Sequence, residues 1–144
     1  MEIVKTFEKF LQDNNILFKK DELNISFSLN GRHFLLLLDP KDVDYYRLTL
    51  PKVQVPDNID RNILNGMLLR LISEFKVGKV IDAGEAGIWF SYEQILRSEN
   101  INDLTYVFSR SIKILLEMFG KYIKEMSSYL NNKTNEEGKQ DLKS

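Results

Sequence analysis

The sequence predicts an α+β domain in which three amphipathic helices pack against one mostly antiparallel sheet of five strands. Three segments carry apolar residues at helical spacing, and five shorter segments show the alternation of strands. An Asn-Gly pair between two strand-like segments adds a hairpin signal. The predicted order is helix, three strands, helix, two strands, helix, in one domain over residues 1–130.

The first half of the chain contains the first helix and three of the strands. The first helix is predicted from Ile3 to the Asn14-Asn15 pair, because apolar residues recur on one side of it. Strict alternation over residues 24–29 predicts a strand that turns at Asn30-Gly31 into a second strand over residues 32–38. A two-residue turn there pairs Leu29 with Arg32, Phe27 with Phe34, and Ile25 with Leu36. A third strand is predicted over residues 44–53.

The second half contains two helices and a second pair of strands. Asp57 or Asn58 is expected to cap a helix that ends near Phe75. Strands over residues 76–81 and 88–92 follow, and then a long helix capped by Asn102 or Asp103. From residue 131 the composition becomes polar and charged, which predicts a disordered tail over residues 131–144.

Composition excludes several classes of function. The net charge of -1 provides no general attraction to nucleic acid or to anionic lipid, so we expect neither as a partner. The chain has no cysteine, which removes disulfides, thiolate nucleophiles and sulfur-bound metals. Its N-terminus does not resemble a signal peptide and no apolar run is long enough to span a bilayer. We therefore expect a cytoplasmic protein.

One face of the predicted sheet is more apolar than a solvated face should be. In the predicted register, Leu35 and Leu37 lie opposite the helix-facing residues. Trp89 on the fifth strand points the same way, as does Tyr45 or Tyr46 on the third. We interpret Leu35, Leu37, Tyr45 and Trp89 as a partner-binding patch; the alternative is a helix that covers this face as well.

The second helix carries apolar residues over a very broad arc of its surface. Most of such an arc is core, but its outer edge is a candidate contact between two copies of the chain. The residues proposed for this homodimer contact are Met67, Leu68 and Leu71.

No recognisable catalytic or metal-binding pattern is present, so we expect a non-enzymatic protein without cofactor or metal. His33, the only histidine, has Ser28 as its expected cross-strand neighbour but no predicted acid beside it. The acids in the turn over residues 39–44 lack the glycine and distant glutamate of a calcium loop. Residues 84–87 match Gly-x-x-Gly, but they join strands and include an acid, unlike an RNA-binding loop.

The order of elements resembles the type III secretion chaperone-like fold, and more closely the YbjN-like bacterial proteins that share it. The resemblance rests on residues 7–10, the Asn30-Gly31 hairpin, the strand over residues 46–53, and residues 79–92 leading into the last helix. It implies a small, often dimeric, non-enzymatic protein that binds an extended client segment. We therefore expect a chaperone-like module that binds a protein partner through its sheet and second helix. The alternative is a small-molecule-binding or regulatory domain with an apolar cavity between sheet and long helix.

Overall fold

The computed structural model describes residues 3–97 and 99–143, and side chains as far as residue 136. One antiparallel sheet carries its strands in the order β1-β2-β3-β4-β6-β5. The elements in chain order are α1 (Ile3–Asp13), β1 (Phe18–Lys20), β2 (Asn24–Leu29), β3 (Arg32–Leu37), β4 (Tyr45–Val53), α2 (Arg61–Glu74), β5 (Gly78–Asp82), β6 (Ile88–Ile95) and α3 (Ile101–Lys143). A single 3₁₀ turn over Gly84–Ala86 joins β5 to β6. The α+β class is confirmed, and the predicted count of five strands is wrong.

The strand missing from the prediction is β1. It is three residues long and pairs with β2, with Lys19 opposite Ser26. Three residues are too few to show alternation, so nothing local distinguishes this segment from a loop. Its conformation depends on pairing with the edge of β2.

The β2–β3 hairpin has the predicted register. Asn30 and Gly31 have φ values of 53° and 72°, as a tight two-residue hairpin turn requires. Leu29 faces Arg32, Phe27 faces Phe34, and Ile25 faces Leu36.

Both predicted helix caps are wrong. The cap of helix α2 is Asp60, and not Asp57 or Asn58. The Asp60 carboxylate accepts a hydrogen bond from the Asn62 amide at 2.7 Å. At the start of α3, the side-chain oxygen of Asn100 accepts from the Asn102 amide at 2.9 Å. Asn102 and Asp103 therefore lie inside the helix.

The core lies between one face of the sheet and the helices. Phe7 of α1 packs edge-on against Phe108 of α3, with ring centres 4.9 Å apart, and Phe108 lies 5.4 Å from Tyr46 of β4. Further along α3, Tyr122 packs against Phe90 of β6. Burial of each such ring contributes roughly 1.5–3 kcal/mol, so these contacts are a main source of the attraction between helix and sheet.

Helix α3 continues well past this core. Met126 is its last buried side chain among the described residues, yet the helix extends through Lys143. Apart from Gly138 and Leu142, the residues from 131 onward are polar or charged, and several of them are good helix formers. The domain limit at residue 130 and the disordered tail stay predictions.

Candidate protein-binding surface

The sheet has one face covered by helices and one open face. Phe27 and Tyr46 contact α1 and α3, and α2 lies beside α3 through an Arg70–Glu125 ion pair of 3.4 Å. All three helices therefore lie on the same side. The opposite face, which we call the open face, is not covered by any described helix.

The four residues of the predicted patch all lie on the open face, where each is half-buried. Tyr46 belongs to the core, so Tyr45 is the tyrosine that points outward. Strand β4 lies between β3, which carries Leu35 and Leu37, and β6, which carries Trp89. Two strand spacings separate β3 from β6, which is about 10 Å. Their role in partner binding stays a prediction.

Polar side chains occupy the centre of the open face. Arg47 Nε lies 3.2 Å from Glu93 Oε1, and Lys79 Nζ lies 3.6 Å from Glu93 Oε2. Burial raises the pKa of Tyr45, and a hydrogen bond to Glu93 raises this pKa further. This part of the face is a charged network with apolar residues around it.

Three polar atoms in and beside this network are buried without a hydrogen-bond partner among the described residues. Arg47 Nε is one of them, since its contact with Glu93 is an ion pair without hydrogen-bond geometry. The other two lie on the neighbouring strand. They are Ser91 Oγ and Trp89 Nε1. A buried polar atom left without a partner costs about 1–3 kcal/mol. Both belong to β6, next to edge strand β5.

Met67, Leu68 and Leu71, the residues proposed for a homodimer contact, are buried within the chain. Their exposures are 4%, 7% and 0%, so they offer almost no surface to a second copy. The exposed apolar side chains of α2 include Leu69 at 67% and Ile72 at 43%. A dimer contact through α2 stays a prediction, and exposed side chains such as these would have to make it.

Leu69 and Ile72 lie on the flank of α2 that faces away from α3. Arg70 marks the flank next to α3, because it pairs with Glu125. Ile72 follows two residues later, about 200° around the helix axis. Since α2 packs over β5 at the border of the sheet, this flank lies beside the free edge of β5. The sequence held a signal for this, because Leu64, Leu68 and Leu71 recur at helical spacing on the buried side of α2 and Leu69 does not fall on that side.

The free edge of β5 is the more accessible of the two sheet edges. The other edge, β1, has only three residues and presents Lys19 and Lys20, features that discourage further strand pairing. Strand β5 has five residues, and among the described strands it pairs with β6 alone. Just before it, Val77 is 52% exposed and has a φ of 56°, a rare conformation for a β-branched residue.

These observations define what we call the β5 edge surface. It consists of the outer edge of β5 with apolar side chains on both sides of the sheet. Ile81 faces Trp89 on the open face, while Leu69, Ile72 and Val77 lie around the helix side and the preceding turn. This surface was not recognised from the sequence, apart from Trp89.

The structure adds no catalytic constellation around His33. It faces Ser28 in the sheet, as predicted, and is exposed. No group of three His, Asp or Glu side chains within residues 3–97 and 99–136 is placed to hold a metal ion. Across the part of the chain described, none of the helices is long and apolar enough to cross a membrane.

No protein-family model matches this chain, and neither does any curated protein. The resemblance to YbjN-like proteins and to the type III secretion chaperone-like fold therefore stays a prediction.

Proposed function

We propose that this chain is a non-enzymatic, chaperone-like module that binds an extended segment of a protein partner at the β5 edge surface. The observation that carries the proposal is the unpaired edge of β5 with apolar side chains on both sides of the sheet.

An extended segment suits this surface for geometric reasons. A strand added to β5 forms main-chain hydrogen bonds along the free edge, and its side chains point alternately to the two faces. Side chains on one face would contact Ile81, while those on the other would contact Ile72 and Leu69. Main-chain bonding tolerates varied sequences, and the apolar contacts favour segments with alternating apolar residues.

The charge balance supports a partner recognised by backbone and apolar contacts. With a net charge of -1, the chain has no strong field to attract an oppositely charged protein. Lys79 on β5 already pairs with Glu93, so the strand offers little unpaired charge to a partner.

A peptide-display selection tests this proposal. Random ten-residue peptides are selected on the full chain, and the affinities of the selected peptides are then measured for variants. The double substitution Ile72→Asp and Ile81→Lys places a charge on each side of the edge, and we expect at least tenfold weaker binding from two lost apolar contacts.

Two matched variants show which part of the sheet binds the peptides. Leu17 is 92% exposed beside the other edge strand, so Leu17→Asp should leave affinity unchanged. Leu37→Asp tests the open face far from β5, as the sequence analysis proposed. If Leu37→Asp abolishes binding and the β5 double variant does not, the partner uses the β3 side and our placement is wrong.

A native mass spectrum distinguishes a second copy of the chain from a different partner. A dimer that the β5 double variant converts to monomer would show that the edge pairs with another copy. A monomer that binds selected peptides only through an intact β5 edge would support a client segment.

A further inference from the structure

A recess outside the β5 edge surface lies where the β2–β3 hairpin and the end of β4 meet α3. Its volume is about 460 Å³, within the usual range for small-ligand sites. Apolar side chains form its floor, and its rim carries Arg32 and Lys52. We call this recess the hairpin groove; its floor includes Leu50, Val53, Phe119 and Ile123.

The charges around the hairpin groove have one sign. No Asp or Glu is among the described residues that line it. Neither Arg32 nor Lys52 forms an ion pair with any residue in the described part of the chain. The chain as a whole has nearly equal numbers of positive and negative side chains, with a net charge of -1, whereas the groove has only positive ones.

Arg32 differs from four of the other five arginines in the chain; the fifth, Arg110, donates a hydrogen bond to the Tyr106 hydroxyl. Arg47, Arg61, Arg70 and Arg97 each lie within 3.4 Å of an acidic oxygen. The Arg32 guanidinium instead lies over an aromatic ring of α3, with its central carbon 4.1 Å from the ring centre of Phe119. Stacking holds the plane of the guanidinium while leaving its N–H groups available for a planar oxyanion.

Lys52 also lines the groove and lies at a β-bulge in β4. The pairing of β4 with β6 shifts between Leu50 and Val53, and Lys52 has a φ of 56°. Bulges often redirect a side chain next to a functional site. The bulge is also fixed on both sides, because Gly87 approaches the Val53 carbonyl closely and the Tyr122 hydroxyl donates to the Gln54 carbonyl at 2.9 Å.

The geometry points to the hairpin groove as a binding site for a small organic anion, namely a carboxylate or phosphate carried on an apolar body about the size of one ring. Arg32 and Lys52 bind the anionic group. The apolar body packs on Phe119 and Ile123. Because the Arg32 guanidinium is already stacked on Phe119 and the bulge holds the backbone at Lys52, little backbone ordering has to accompany binding.

An NMR titration of the 144-residue chain tests this inference with three probes that each carry one phenyl ring. Phenylacetate and phenyl phosphate carry the two anionic groups, and phenylacetamide is the neutral control. We expect saturable shifts of the amide signals of Arg32, Lys52 and Gln54 at probe concentrations up to about 10 mM. The anion that binds more tightly identifies the natural head group.

Variants separate a built site from non-specific attraction. The double substitution Arg32→Gln and Lys52→Asn should weaken anion binding about tenfold or more, since it removes two charged donors. Asparagine tolerates a positive φ, so the bulge should persist. Lys113→Gln changes an exposed lysine of α3 outside the groove and should leave affinity unaltered. Equal binding of phenylacetamide, shifts without saturation, or full affinity in the double variant would each overturn the inference.

Discussion

The Tyr46 hydroxyl oxygen lies 2.7 Å from the Ser111 hydroxyl oxygen in the closed core between β4 and α3. Ser111 donates its own proton to the Phe108 carbonyl at 2.8 Å, so Tyr46 is the donor in this pair. Both side chains are fully buried. This chain of two hydrogen bonds links the centre of the sheet to the long helix.

Removing the Ser111 hydroxyl should lower the free energy of unfolding more than removing the Tyr46 hydroxyl. Ser111→Ala leaves the Tyr46 hydroxyl buried without an acceptor, which should lower the free energy of unfolding by about 1–3 kcal/mol. Tyr46→Phe leaves Ser111 bonded to Phe108, so a smaller loss of about 0.5–1.5 kcal/mol is expected. Urea unfolding of both single variants and the double variant measures the coupling. A larger loss for Tyr46→Phe than for Ser111→Ala would contradict the assigned donor.

Burial of Tyr46 also makes stability depend on alkaline pH. Burial raises the pKa of Tyr46 well above its ordinary value of 10.0. The contribution of Tyr46 to the free energy of unfolding is therefore fully present below about pH 10. It decreases at higher pH, because the Tyr46 hydroxyl ionises in the unfolded chain and stays protonated in the folded one. We expect the free energy of unfolding to fall by about 1.4 kcal/mol per pH unit for this group. Tyr46→Phe should show a shallower decline in urea unfolding above about pH 10, and identical slopes would argue against this account.

Much of the fold followed from local patterns in the sequence. Asn30-Gly31 determined the register of the hairpin, because both turn residues must adopt positive φ. The caps of α2 and α3 were misplaced because several neighbouring Asp and Asn residues are equally suited to capping. Asp60 is the cap of α2 because its carboxylate reaches the Asn62 amide in the folded chain. Sequence alone does not contain that distance.

The candidate surface depended on information that no local pattern carries. Alternation placed Trp89 on the correct face, but only the strand order shows that β4 separates it from Leu35 and Leu37. Similarly, the apolar arc of α2 does not reveal on which flank α3 lies. Once α3 is placed, Leu71 is core and Leu69 is surface.

Two glycines should respond in opposite directions to alanine. Gly87 has a φ of 83°, and a Cβ there would lie 2.6 Å from the Val53 carbonyl oxygen. Gly87→Ala should therefore cost about 1–3 kcal/mol from backbone strain, with the contact adding to it. Gly120 lies inside α3 with no atom within 4 Å of an added Cβ. Gly120→Ala should stabilise by about 0.5–1 kcal/mol, as thermal unfolding followed by circular dichroism would show.

Substitutions on the two sides of α2 distinguish core from surface. Leu71→Ala should lower the free energy of unfolding by about 2–5 kcal/mol, because its side chain is completely buried. Leu69→Ala should change it by no more than about 0.5 kcal/mol. The measurement is urea unfolding at two protein concentrations. If Leu71→Ala made stability strongly concentration-dependent without lowering it at high concentration, Leu71 would belong to an interface between copies.

Val77 provides the sharpest link between stability and the proposed surface. Its positive φ is unfavourable for a β-branched side chain, and about half of that side chain is exposed, so packing offsets only part of the strain. Val77→Asn places a residue that tolerates this conformation at the same position, and we expect a gain of about 1 kcal/mol in urea unfolding. The same change removes an apolar contact from the β5 edge surface, so affinity for selected peptides should fall. A variant that is both less stable and equally able to bind peptide would contradict both parts of this explanation, since neither strain nor partner contact would then account for the valine.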